Sequence, residues 1–259
     1  MKLAARAMNL IERVSWLSPY TNGAWSALLF WLSASRDPNH LGRGRYQGTD
    51  MLFRGLDVMA VKEVLVDREY AFVLPRIENT ETPVVLDVGA HIGLFSLWLL
   101  KQCPRVRVRS IEADPRTYGV LSQNVALACA GGAQWETLNA AAWGEDGGQL
   151  RFSAAGPSMS HRVSAEGDIR VEGITMNSLL DGLVGASGTI DLMKVDIEGS
   201  EEAFLCADPD LLKRVHHLVV ELHPYLCNTG RVEAVLRGNY KTVEMVQGRF
   251  SSKPLLLCY

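Results

Sequence analysis

Residues 84–93 read Val-Val-Leu-Asp-Val-Gly-Ala-His-Ile-Gly, an apolar run that ends in an acid and passes through two glycines into the helical pattern of residues 94–100. A continuous apolar run is the pattern of a buried parallel strand. Glycines after it let the backbone turn tightly and approach a ligand at the N-terminus of the next helix. The spacing discriminates between cofactors. A dinucleotide loop is expected to carry G-x-G-x-x-G, with amides free for a pyrophosphate, whereas this loop has only Gly89 and Gly93. Asp87 instead suits a ligand that presents an ammonium group. Residues 107–112 form the next strand pattern, and Glu112 falls about 20 residues past the loop, where an acid accepts hydrogen bonds from ribose hydroxyls. Together the two acids point to S-adenosylmethionine (SAM); the plain alternative is a strand, turn and helix with a surface acid.

Two further strand patterns end in acids. Residues 189–196 finish at Asp196 and run into Ile197-Glu198-Gly199-Ser200-Glu201-Glu202, while residues 218–223 finish at Glu221-Leu222-His223 and are stopped by Pro224. In an open parallel sheet ligands bind beyond the carboxyl ends of the strands. Asp196, Glu198, Glu221 and His223 are therefore expected on the rim that holds Asp87, Gly89 and Glu112. Lys194 is expected to pair with a neighbouring carboxylate.

The elements that must position these residues follow from pattern and composition. The chain has 259 residues, 47% hydrophobic and 21% charged, enough for one sizeable core and more than a minimal α/β unit needs. Its net charge of -3 supplies no basic field for nucleic acid, and Arg105, Arg107 and Arg109 alternate as a solvated strand edge would. Cys103, Cys129, Cys206, Cys227 and Cys258 are odd in number and form no C-x-x-C pair, which argues for a reducing compartment, here the cytoplasm, and against a zinc site.

Leu3, Ala7, Leu10, Ile11, Val14 and Leu17 recur at helical spacing, interrupted by charges that a signal peptide would lack. Residues 24–34 are apolar but about half the roughly 20 residues that span a bilayer, so a buried helix is expected, with weak membrane-surface contact as the alternative. Residues 36–50 read as a linking loop, 56–66 as a helix and 70–74 as a short strand. From Val84 onward strands alternate with helices, including a helix over 116–130 that stops at Gly131-Gly132 and a strand over 135–141. Residues 153–167 interrupt the alternation as a lid or a surface insertion, and residues 242–246 and 255–258 read as an antiparallel pair closing the sheet edge. The fold expected is α/β: a doubly wound, mostly parallel, Rossmann-like sheet behind an N-terminal helical cap, with the cap at 1–54 and the main domain at 55–259.

These residues also resemble a known family. VVLDVGAHIGLFSL (84–97), SIEADPR (110–116), Asn124, NAAAWGEDG (139–147), KVDIEGSE (194–201) and VVELHP (219–224) look like the FkbM family of SAM-dependent methyltransferases over roughly residues 60–225. His91 stands where that family usually has Asn, and Ala113 where it usually has Pro. The resemblance implies a seven-stranded class I methyltransferase fold and O-methylation of a sugar, polyketide or other secondary-metabolite hydroxyl. The cofactor set expected is Asp87, Gly89, Ala90, His91, Gly93, Glu112, Ala113, Asn139 and Ala140.

Methyl transfer to oxygen is an in-line displacement that needs positioning, and an alcohol also needs a base or a metal to take or mask its proton. Asp196 and His223 are the candidate bases. Glu198 and Glu221 either hold acceptor hydroxyls or join Asp196 around Mg²⁺. Trp135, Trp143, Met159, His161 and Arg162 could line a sugar platform, although aromatics at strand positions more often belong to the core. The N-terminal helices could cap the site or form a homo-oligomer face. Three other functions share these patterns: SAM binding without turnover, N-methylation, and NAD(P)-dependent oxidoreduction. The last lacks the middle glycine and any Tyr-x-x-x-Lys pair.

Overall fold

The computed structural model describes residues 2–153, 162–247 and 253–259; Met159, His161, the centre of the 153–167 segment and the turn at Gly248 lie outside the described residues. Helices α1 (Lys2–Leu17) and α2 (Ala24–Ala34) precede strands β1 (Leu41–Tyr46) and β2 (Thr49–Arg54). A helical stretch follows, α3 (Val58–Ala60) continuing as a π-helix over Val61–Val66, and then α4 (Leu74–Ile77). The body of the chain runs β3 (Val84–Val88), α5 (Leu94–Gln102), β4 (Arg107–Glu112), α6 (Pro115–Cys129), β5 (Gln134–Asn139), β6 (Ala141–Ala142), β7 (Gln149–Ser153), β8 (Arg162–Val163) and β9 (Ile169–Ile174). It ends with α7 (Met176–Val184), β10 (Ile190–Val195), α8 (Glu201–Leu205), β11 (Val215–Glu221), α9 (Thr229–Asn239), β12 (Val243–Gln247) and β13 (Leu255–Cys258).

Seven strands form the central sheet in the order β12-β13-β11-β10-β3-β4-β5. Strands β5, β4, β3, β10 and β11 are mutually parallel, and β13 runs against both its neighbours. The order reverses at β3, so the crevice where a doubly wound sheet binds ligand opens beyond the carboxyl ends of β3 and β10. Successive residues of β3 feed opposite faces: Val85 packs with Leu97, Trp98 and the N-terminal elements, while Leu86 and Val88 pack with Ile111, Met193 and Leu218. Because the first cluster also contains Ala27, Phe30, Met51 and Phe53, the N-terminal elements share a core with the sheet.

Four expectations are corrected. Residues 36–50 do not form a loop: β1 and β2 pair as a hairpin whose two-residue turn, Gln47 and Gly48, has positive φ at both positions. Gly42 and Gly44 sit on its inner face, where a Cβ would press on Phe30, Phe53 and the Tyr20 carbonyl, so residues that read as loop formers are strand residues chosen for close packing. The strand expected over 70–74 is helical, with Tyr70, Val73 and Ile77 buried at helical spacing and Pro75 inside the first turn of α4. The strand over 135–141 breaks at Ala140, and Ala141–Ala142 join a separate four-stranded sheet ordered β6-β9-β7-β8. Helix α2 buries Ala27, Phe30 and Ala34 but leaves Trp25, Leu29 and Leu32 exposed, so it is a half-buried helix.

One side chain ties the hairpin to the glycine loop. Asn124 on α6 accepts from the Leu52 amide at 2.7 Å and donates to the carbonyls of Leu52 at 3.0 Å and Ile92 at 2.8 Å. Asn124→Leu orphans all three backbone groups. It is expected to lower unfolding stability by about 2–4 kcal/mol, at roughly 1 kcal/mol or more per lost bond. Urea unfolding measures this, and a loss below about 0.5 kcal/mol would contradict it.

Candidate active site

A cavity of about 440 Å³ lies beyond the carboxyl ends of β3, β4, β10 and β11. It is the size of a small-ligand site. Gly89, Ala90, His91, Glu112, Ala113 and Ala140 of the expected cofactor set line it. Gly89 has φ +77, and a Cβ there would overlap the Asp196 carbonyl. His91 also sits in the left-handed region, at φ +54. It is held there from both ends, because its amide donates to Glu112 Oε2 at 2.8 Å and its Nε2 lies 3.2 Å from Asp57. Asp57 is fully buried and receives Arg54 through two nitrogens, at 2.8 and 2.9 Å. Burial opposes its ionisation, but His91 and Arg54 hold its carboxyl well below the usual range. A His in place of Asn at 91 thus reaches a partner that no sequence spacing indicated.

Glu112 is buried, which pushes its carboxyl up to about 7, and its two oxygens accept from the amides of His91 and Asp114. Each oxygen retains a further acceptor position for a ribose hydroxyl. Three members of the expected cofactor set lie outside the cavity lining. Gly93 is a packing glycine whose Cβ would meet Leu121 and Trp135. Asn139 braces the loop by donating to the carbonyls of Glu112 at 2.7 Å and Ala113 at 3.1 Å. Asp87 is fully buried beneath the loop, accepting from Ser96 at 2.6 Å and facing Lys194 Nζ at 3.4 Å. The expected grip of Asp87 on a ligand cation is therefore corrected, since the cation beside it is Lys194. That ammonium also reaches Asp196 at 3.6 Å and donates to the Gly89 carbonyl at 3.1 Å. Burial would discharge it, but Asp87 and Asp196 hold its pKa above the ordinary lysine value.

Asp196, Glu198 and Glu221 line the cavity, together with residues that the sequence reading missed: Glu63, Glu69, Tyr70 and Lys253. Glu63 lies on the π-helix before the sheet, and Glu69 and Tyr70 on the turn that follows it, where Arg68 adopts φ +54. For Glu69 and Tyr70 the sequence signal is the cluster Asp67-Arg68-Glu69-Tyr70, and Glu63 stands on the helix expected over 56–66. Despite burial, Lys194, His223 and Lys253 hold Asp196 below the ordinary aspartate range. Burial, reinforced by Glu221, Glu63 and Asp196, pushes Glu69 up to about 7.

His223 is buried rather than exposed to the cavity. Its Nδ1 lies 2.7 Å from Glu201, and its Nε2 lies 3.3 Å from Glu198 and 3.5 Å from Glu221. Burial disfavours the imidazolium, but Glu198, Glu201 and Glu221 outweigh it and push the pKa up to about 12. A histidine that keeps its proton at neutral pH is no base, and this corrects one of the two candidates. The same contacts explain the KVDIEGSE run. Glu198 stands at φ +49 with Lys253 at 2.6 Å, Gly199 packs against Leu226, and Glu201 accepts from the Gly199 amide while gripping His223. Because the native state holds a His223 proton that the unfolded chain releases near 6.5, this contribution to stability is fully present below pH 6.5 and is lost as pH rises toward 12. His223→Gln is expected to be less stable at neutral pH, with the gap to the unsubstituted protein narrowing as pH rises from about 7 toward 11 in urea unfolding. A gap independent of pH would contradict the assignment.

Asp196, Glu221 and His223 each bring a ligand-type atom within 4.8 Å of one another. A hard divalent cation fits this set poorly, because the Lys253 ammonium stands 2.6 Å from Glu198 and 3.5 Å from Glu221 and would repel it. Among the described residues the aromatic platform is also not assembled. Trp135 is buried and donates Nε1 to Ser110 at 2.8 Å, and neither Trp143 nor Arg162 lines the cavity, where Phe152 and Val163 stand instead.

The strand order with its one reversed strand, the glycine loop at the switch point and the acid rim define a class I methyltransferase. The Methyltransferase FkbM domain matches residues 87–241, more than half of the chain. The chain belongs to that family, which displaces the oxidoreductase alternative. It is 25% identical to the 31-O-demethyl-FK506 methyltransferase FkbM of Streptomyces tacrolimicus, over 70% of this chain and 80% of that protein. It is 27% identical to the hexuronic acid methyltransferase AglP of Haloferax volcanii, over 56% and 58% respectively. Two other curated relatives are longer, and the match spans 24% of one and 9% of the other. Among solved structures, magnesium protoporphyrin IX methyltransferase of Synechocystis PCC 6803 aligns over 88% of this chain and 89% of its own, at TM-score 0.47 and 14% identity.

Proposed function

We propose that this protein is a SAM-dependent O-methyltransferase acting on a hydroxyl of a small molecule, a sugar or glycan or a secondary metabolite. One observation carries the reading: a single cavity joins the glycine loop and Glu112 to a cluster of carboxylates from β10, β11 and the preceding helical stretch. The loop backbone at Gly89–His91, with Glu112, Ala113 and Ala140, fits SAM. When bound there, SAM supplies a methyl group on a positively charged sulfur. The names of the FkbM and AglP relatives support an oxygen acceptor.

Asp196 and Glu221 orient the acceptor by receiving its hydroxyl hydrogens, and Glu198 is held in place for Lys253 and His223. Glu69 takes the proton from the reacting hydroxyl, since a carboxyl near 7 combines an available ionised form with useful basicity at neutral pH. An amine among these carboxylates would keep its proton and its lone pair would be engaged, which favours oxygen over nitrogen. The unpaired cysteines support a reducing, cytoplasmic setting.

Calorimetric titration with SAM and with NADH tests the cofactor, and SAM binding is the expected result. Labelled SAM incubated with a small-molecule extract then tests turnover; SAM bound but never consumed would favour a non-catalytic binding protein. Glu69→Gln is expected to lower kcat by about 10²-fold with SAM affinity unchanged. It should also remove the rise of kcat/KM through pH about 7 that Glu69 ionisation produces. A variant that keeps that rise assigns the proton to another group.

A further inference from the structure

We propose that the outer face of α2, with the adjoining edge of β1, is a docking surface for an anionic lipid bilayer, on which the protein rests without crossing it. Trp25, Leu29 and Leu32 stand one helical turn apart on α2 and are 71%, 49% and 43% exposed. Spacing of four and three residues puts them in one row. A shallow groove lined by Ser26, Leu29, Ser33, Leu41 and Arg43 connects that row to β1, where Leu41 is 45% exposed. Three large apolar side chains in a row with a fourth beside them form a patch that water does not favour.

Charge selects the occupant. Apart from Arg54, which is buried against Asp57, six basic and three acidic residues precede position 55, a net of +3 within a chain of net -3. Arg36 is exposed just past the end of α2, and Arg43 and Arg45 share the single carboxylate of Asp50, so the hairpin edge keeps a positive excess. A second copy would bring these like charges together across a symmetric contact, whereas an anionic headgroup layer neutralises them. Trp25 supplies the side chain favoured at the boundary between headgroups and acyl chains. Eleven residues of helix reach about 16 Å, roughly half the hydrocarbon thickness, and no described helix is long and apolar enough to cross a membrane.

Sedimentation of the full chain with phosphatidylcholine vesicles, with and without phosphatidylglycerol, tests this. Binding is expected only with the anionic lipid and is expected to weaken at high salt, as the screening length falls from about 10 Å at 0.1 M to about 3 Å at 1 M. The triple variant Trp25→Ser, Leu29→Ser, Leu32→Ser, altered only at exposed positions, is expected to partition about tenfold less while keeping its melting temperature and SAM binding. Arg36→Glu with Arg43→Glu is expected to act likewise through charge alone. Failure to sediment with anionic vesicles overturns the proposal, as does equal binding to neutral vesicles or retention by both variants. If light scattering shows a dimer that the triple serine variant dissolves, with no vesicle binding, the face belongs to a second copy.

Discussion

Gly89→Ala is expected to abolish both SAM binding and methyl transfer. The added Cβ would occupy the space of the Asp196 carbonyl and crowd the Ile197 side chain, neither of them a flexible end that could swing aside. Position 89 also has φ +77, a conformation that costs an L-residue about 1–2 kcal/mol before any clash is counted. Relief requires the loop to separate from β10. That movement breaks the bonds from the Gly89 and Ala90 amides to the Ile111 carbonyl, at 3.0 and 2.9 Å, and the bond from Lys194 to the Gly89 carbonyl. A shift of about 1 Å in a site of this kind lowers rates by about 10²-fold, and here the glycine loop and Asp196, proposed to orient the acceptor, move together. Calorimetry with SAM and a labelled-methyl assay would measure the loss, and a thermal melt would show whether the fold survives. An alanine variant with SAM affinity within a factor of about three of the original would remove Gly89 from the donor site.

Lys194→Met is expected to be strongly destabilising. Methionine replaces most of the volume of the lysine stem, so the main effect is loss of one buried cation that faces two carboxylates. Leaving Asp87 and Asp196 without it is expected to cost about 3–5 kcal/mol. The sign of the pH dependence identifies the cause. In the variant both carboxyls have folded pKa values above their unfolded ones, so the protonated forms are favoured and the deficit is fully felt at neutral pH. It shrinks as pH falls through about 5 toward 4, where the unfolded carboxyls also take up protons. Urea unfolding at several pH values measures this, and a deficit that stays constant on acidification would assign the loss to packing. Turnover is expected to fall as well, since Asp196, proposed to orient the acceptor, loses one of the cations that favour its ionised form.

The difference between what residues 84–100 and residue 223 allowed to be read shows where legibility stops. The β3–loop–α5 unit was legible because its causes are local: an apolar run, glycines where the chain must take positive φ, and an apolar helix directly after. The alternation behind it, the strand ends that bring Asp196 and Glu221 to one rim, and the pairing of Lys194 with carboxylates follow from the same short-range patterns. The β1–β2 hairpin was hidden because Gly42 and Gly44 answer to Phe30 and Tyr20, residues from other elements.

The acids on the rim divide in the same way. Spacing established that Asp87 and His223 are acid and imidazole at strand ends, but not their protonation or exposure, which depend on partners 2 to 107 residues away in the chain. Lys194 sits against Asp87, and Glu198, Glu201 and Glu221 surround His223, so the first is shielded from the cavity and the second cannot release its proton. Glu69 gives the opposite case, an unremarked acid in the chain that burial among Glu221, Glu63 and Asp196 carries to about 7. Backbone geometry is governed by sterics within a few residues, whereas electrostatic energies in a low-dielectric interior extend over several ångströms in every direction, and only the folded chain brings those charges together.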